Sequence, residues 1–169
     1  KSIGIVSFSQ NQTELIRNTI PNQYKTIVEE MENNGQLFIL PLEKIQGDEC
    51  DDLIISTTYS PNEEGSLLQK FGLMSLDGGR FRLNVLASRA SKSMHVITSI
   101  KSAEINATTN VNTDTFKKWL QFVENQARED ENTTNYPRIC IPIHESLTLR
   151  EIVIRSNVFK DRGWEIEYV

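Results

Sequence analysis

Apolar residues fall along this chain in short runs of strand length, separated by polar stretches in which apolar positions recur at helical spacing. Residues 3–8 (IGIVSF) are apolar almost throughout and partly β-branched, which predicts a buried parallel strand. Ser9 and Asn11 then offer N-cap oxygens to a helix carrying Leu15, Ile16 and Thr19. Pro21 breaks or restarts that helix, and Tyr24, Ile27, Val28 and Met31 continue as a core-facing stripe to a stop at Gly35. Residues 37–40 form a second strand ending at Pro41. Further strands are expected at residues 52–58 and 94–100.

Between those two strands lie a turn (SPNEEG, residues 60–65) and a long irregular loop, residues 67–79, anchored by Phe71, Leu73, Met74 and Leu76. Residues 80–90 are expected to be helical, with Leu83, Val85, Leu86 and Ala87 packed. After Ile100 a polar linker leads to a helix capped by Asp114, whose Phe116, Trp119, Leu120 and Val123 form one stripe against the sheet. Strands joined by helices, under the right-handed crossover rule, predict an α/β fold with a parallel sheet and helices on both faces. From Gln126 the composition turns charged and polar, so residues 1–125 read as one domain and 126–137 as a linker. Residues 138–169 read as a small C-terminal α/β tail that could open another domain: a strand at 138–143, a helix at 147–160 stopped by Gly163, and a strand at 164–169.

At 169 residues with 38% hydrophobic composition the chain can bury one core and a small appendage. Its net charge of −5 repels nucleic acid globally, so any phosphate contact has to be local. Cys50 and Cys140 stand far apart and outside any Cys-x-x-Cys or Cys/His pattern, which argues against a zinc or disulfide framework. Two free thiols fit a reducing cytoplasm. His95 lies in a β-run and reads as a satisfied sheet residue rather than a metal ligand, and no metal site is expected. The apolar runs are of strand length, so no membrane span is expected. The chain starts at Lys1 on the verge of a strand, which reads as a piece of a longer protein.

Two stretches carry candidate chemistry. GGRFRLNVLASRA, residues 78–90, holds Arg82 and Arg89 seven residues apart, about two helical turns, so both can leave one helix face. KIQGDECDDLIIS, residues 44–56, puts Gln46, Gly47 and Glu49 just ahead of an apolar strand. Taken alone, QGDE reads sooner as an ordinary polar loop with a turn glycine, and most arginines are solvated surface charges. A guanidinium fork on a rigid element nevertheless suits phosphate recognition.

QGDE with its acidic pair and β-run, followed by RLNVLASRA, resembles motifs V and VI of superfamily 1 helicases. IGIVSFSQNQ, residues 3–12, is similar to motif IV. The order matches the second RecA-like domain of these enzymes, most closely the branch of the RNA-surveillance helicase and its bacterial relatives. The likeness covers residues 3–100. It implies a RecA-like (P-loop NTPase-type) sheet and a role in an ATP-dependent helicase or translocase. Arg89 and Arg82 would serve the transferring phosphate, and Gln46, Gly47 and Glu49 the nucleotide, with Glu49 on the ribose. Ser7 and Gln12 would contact single-stranded nucleic acid, DNA rather than RNA. ATP and Mg²⁺ would be held mainly by a first RecA-like domain in cis.

Several positions depart from the pattern. Ser9 stands where the eukaryotic branch carries an aromatic that stacks on adenine, Asp48 where that branch has a basic residue, and Ser88 where threonine is usual. The chain carries no G-x-x-x-x-G-K-[ST] loop, so this piece alone is expected to be inactive. A rival reading is a degenerate RecA-like module that binds or scaffolds within a restriction or defence complex. A free-standing small-molecule enzyme is disfavoured because no nucleophile and base pair is visible.

Overall fold

The computed structural model of the chain describes the backbone of residues 1–131, 138–141 and 165–168, and the side chains of residues 1–126. The chain divides into two compact units, Lys1–Gln121 and Phe122–Val169. In the first, strands β1 (Ile3–Ser7), β2 (Leu37–Pro41), β3 (Cys50–Ser56) and β4 (Ala90–Ile97) form an all-parallel sheet in the order β2-β1-β3-β4. The expected α/β fold with a parallel sheet is the one observed, and it is compatible with a RecA-like domain. β3 and β4 begin earlier than predicted because Cys50 already pairs with Ala90.

Register decides the layers. Val6, Leu40, Ile55 and Val96 are neighbours across the strands and share one face. Against that face pack Leu83 and Leu86 of α3 (Gly79–Ala87) and Phe116 and Leu120 of α4 (Val111–Glu131), all of them buried. A ring cluster extends the core beyond the strand ends, where Tyr59 meets Phe71 edge-on at 5.3 Å and Phe8 lies 5.8 Å from Phe116. Of the α4 stripe predicted from sequence, Phe116, Leu120 and the partly buried Trp119 pack as expected. On the opposite face sits α1 (Gln10–Thr19), whose Thr13 is buried and whose Arg17 donates to the Ile39 carbonyl at 2.8 Å. β1 connects to β2 on this face and β3 to β4 on the other, in opposite directions across the sheet, so both crossovers have the same hand, as the right-handed rule requires. Among the described residues no helix covers the second face beside β4, where Ile97 is 56% exposed.

Local signals explain the helix ends. Ser9 caps α1 by accepting the Gln12 N–H, and Pro21 precedes the restart as α2 (Asn22–Asn33). Gly35 turns the chain at φ +67°. The predicted core stripe of α2 is corrected: no residue of α2 is buried, and Tyr24 and Ile27 are about half exposed. α2 packs against the edge strand β2, which offers sheet under one side only. Leu76 is likewise exposed rather than an anchor, whereas Phe71 and Met74 are fully buried. α4 starts earlier than expected, so its cap is Asn110, whose Oδ1 accepts the N–H groups of Asn112 and Thr113. Asp114 falls in the first turn and pairs with Lys118 at 2.8 Å.

In the second unit β5 (Arg138–Ile141) and β6 (Glu165–Tyr168) pair in parallel. The helix expected at 147–160 and Gly163 lie outside the described residues. α4 itself continues to Glu131, through the first part of the segment read as a linker.

Candidate functional site

The chain passes from β2 to β3 without an α-helix. After Pro41 a short 3-10 turn, Leu42–Lys44, buries Leu42, and Ile45 is buried behind it. These two apolar anchors carry the connection along the core face, so that residues 46–49 emerge at the N-terminal end of β3. Gln46, Gly47 and Glu49 are exposed there, and Gly47 has φ +100°, a conformation that a Cβ would strain.

α3 delivers Arg89 to the same end. The helix stops at Ala87, with Ser88 as its C-cap, because the Arg89 carbonyl is taken by the Cys50 N–H at 3.0 Å and the chain enters β4. Arg89 is therefore not on a continuous helix with Arg82, as its spacing suggested. Its guanidinium makes three bonds: Nε to the Val85 carbonyl at 3.0 Å, Nη1 to the Asp48 carbonyl at 3.2 Å, and Nη2 to Ser88 Oγ at 3.0 Å. Of its five N–H donors, these leave two for a ligand. Asn84, whose amide could reach the QGDE loop from the same helix, is exposed and makes no such bond among the described residues. Arg89 makes that tie instead.

Arg82 turns the other way. Its Nη1 donates to the Asp77 carbonyl at 3.0 Å, and the guanidinium lies over Gly78, whose φ of +82° opens α3. Gln46, Gly47, Glu49 and Arg89 thus converge at one edge, with Arg82 up to about 10 Å further along α3 by its helical rise.

Ser7 and Gln12 lie at the opposite end of the sheet, where β1 finishes. β3 spans roughly 20 Å at ordinary strand rise. Ser7 is 1% exposed, and its hydroxyl is spent on the Ser9 carbonyl at 2.8 Å and on Thr13 Oγ1 at 2.7 Å. It shapes the turn into α1 and presents no free group to a strand. Gln12 is partly exposed at the mouth of a shallow depression with Leu15, Ile16, Thr19 and Ile20.

Thr58 follows β3 at the point where the chain leaves β1 and β3 in opposite directions, and it holds φ +69°. For a β-branched residue that is strained backbone. No sequence signal could have marked it, since threonine disfavours that conformation.

Charges cluster near the start of β3 as well. The Asp51 carboxylate is held below its usual range, first by a hydrogen bond from Lys92 and then by the Ser2 N–H. Asp52 is lowered by Lys1 and Ser93 in the same way. Burial pushes the Cys50 thiol up. Among the described residues no group of acidic, histidine and cysteine side chains is arranged to hold a metal ion. No described helix is long and apolar enough to cross a membrane.

A family model described as an AAA domain matches residues 1–101, which takes in the whole sheet and both candidate edges. The chain belongs to this AAA domain family. Within it, the order of motifs IV, V and VI marks a superfamily 1 helicase-like domain. It is similar to a protein of Mycoplasma pneumoniae named as an uncharacterized ATP-dependent helicase homolog, 32% identical over 113 residues, 63% of this chain. A Mycoplasma genitalium protein named as an uncharacterized ATP-dependent helicase is 26% identical over 168 residues, 94% of this chain. The chain spans only 10% and 14% of the lengths of these two relatives.

Proposed function

We propose that this AAA-family chain is the second motor domain of an ATP-dependent superfamily 1 helicase or translocase. The observation that carries the reading is the meeting of Arg89 with the QGDE loop at one exposed edge, where Gln46 and Glu49 stand free to meet a nucleotide. A first RecA-like domain in cis would hold the β- and γ-phosphates and Mg²⁺. ATP would supply a phosphoryl group whose transfer spreads negative charge over its equatorial oxygens.

Against that charge this chain would set Arg89, already fixed by three bonds, and Arg82 after release from the Asp77 carbonyl. A positioned arginine in this role contributes about 10³ to 10⁵ in rate. Glu49 would accept hydrogen bonds from the ribose hydroxyls, and the open backbone at Gly47 would let the ligand approach. Single-stranded nucleic acid, DNA before RNA, would cross the far end of the sheet near Gln12, with Ser7 shaping the turn behind it. The helicase names of both relatives agree with this reading.

The test is a pair of ATPase assays. The 169-residue chain alone should show no turnover, since it lacks a phosphate-binding loop. Joined to a first domain that carries one, it should turn over ATP in a nucleic-acid-dependent manner. Turnover by the chain alone that Arg89→Ala abolishes would overturn the division of labour between two domains.

A further inference from the structure

Phe81 is 62% exposed although it sits on α3 between positions that build the core. The Arg80 guanidinium lies over its ring, with Cζ 4.7 Å from the centroid. Together they wall an open groove completed by Asp77, Gly78, Asn110, Val111 and Asn112. The groove is held rigid: Asn112 Oδ1 accepts the Arg80 N–H at 3.2 Å, and Asn110 Nδ2 donates to the Ser75 carbonyl at 2.8 Å. The Nδ2 group of Asn112 has no partner among the described residues and remains available as a donor.

The place of the groove in the fold matters. α3 runs back against β3 and delivers Arg89 to the N-terminal end of the sheet, so Phe81 and Arg80, near the other end of α3, lie towards the strand C-termini. That is the end of the sheet at which β1 delivers Gln12. A flat π surface beside a cation and an amide donor matches a nucleobase and its phosphodiester: the ring stacks, the guanidinium meets the phosphate and the amide meets a base edge.

We propose that Phe81 and Arg80 form a nucleobase-stacking step for a single-stranded nucleic acid, separate from the edge formed by Gln46, Gly47, Glu49 and Arg89. The proposal rests on the reading of the chain as a nucleic-acid motor domain and adds a contact outside the motif residues. The experiment measures binding of a fluorescein-labelled oligothymidylate to the 169-residue chain at low salt, for wild type, Phe81→Ala, Phe81→Trp and Arg80→Ala. Irradiation of a 5-iodouracil oligonucleotide, with mass-spectrometric mapping, reads the stacking directly.

Phe81→Ala should weaken binding about tenfold or more, Phe81→Trp should preserve it, and the cross-link should map to Phe81. Arg80→Ala should weaken binding and flatten its salt dependence. Thermal melts should not move, since Phe81 is exposed. Equal affinity of wild type and Phe81→Ala, or a cross-link elsewhere, overturns the groove and leaves the motor reading standing. No binding by wild type removes both. Displacement of the oligonucleotide by equimolar ATP would assign the groove to free nucleotide and overturn the strand.

Discussion

Arg89 Nη1 donates to the Asp48 backbone carbonyl at 3.2 Å, and so the side chain that ends one motif grips the main chain of the other. A carbonyl acceptor holds whatever side chain the loop carries, which leaves Gln46 and Glu49 free. Arg89→Ala should therefore have two effects. The isolated chain should lose roughly 1–3 kcal/mol, since three hydrogen bonds from a charged, half-buried group disappear. In a protein joined to a first domain, ATP turnover should fall by about two orders of magnitude or more. Lysine should restore little of either, because a point charge cannot span the Val85 and Asp48 carbonyls together. A thermal melt beside a single-turnover assay reads both, and unchanged turnover in the alanine variant would remove the phosphate role.

Gly79 should not tolerate a side chain. A Cβ there would stand 2.8 Å from the Leu73 carbonyl oxygen and 2.9 Å from that of Met74, both main-chain atoms that cannot swing aside. Gly79→Ala should destabilise the chain by about 1–3 kcal/mol in urea denaturation despite alanine's higher helix propensity. A stabilised variant would mean that α3 does not press on this turn.

Asp51 straps three strands, reaching the Ser2 N–H beside β1 and Ser91 and Lys92 on β4. Its folded-state pKa is depressed, so its stabilising contribution is full above the unfolded carboxylate value of about 3.9 and is lost as pH falls through the lower folded value. The difference in melting temperature between wild type and Asp51→Asn should be widest above about pH 4 and should narrow progressively as pH falls below it. A gap that stays constant across this range would show that the carboxylate is not the strap.

The Cys50 thiol is 3% exposed, with its pKa raised by burial, and its Sγ lies 3.8 Å from the Arg89 carbonyl. In a Cys140→Ser background the native chain should react slowly with a thiol-exchange reagent at pH 8 and release one thiol equivalent on unfolding. Rapid reaction of the folded protein would mean that the Cys50–Ala90 pairing opens readily.

What the sequence determined by itself was mostly local. The four strands, the Ser9 cap, the break at Pro21 and the turn at Gly35 follow from side-chain volume, β-branching and backbone permissiveness, which act over a few residues. The packed part of the α4 stripe, Phe116, Trp119 and Leu120, was legible for the same reason. Tertiary structure decided what depended on a distant partner. α2 had an apolar stripe, but only its position over an edge strand left Tyr24 and Ile27 in solvent. Arg82 and Arg89 had helical spacing, yet the Cys50 N–H claimed the Arg89 carbonyl for β4, and the two guanidinium groups parted. Ser7 looked available beside a loop until Thr13 and the Ser9 carbonyl enclosed its hydroxyl. Periodicity reports which face of an element is apolar; only packing fixes what that face meets, because the partner lies tens of residues away.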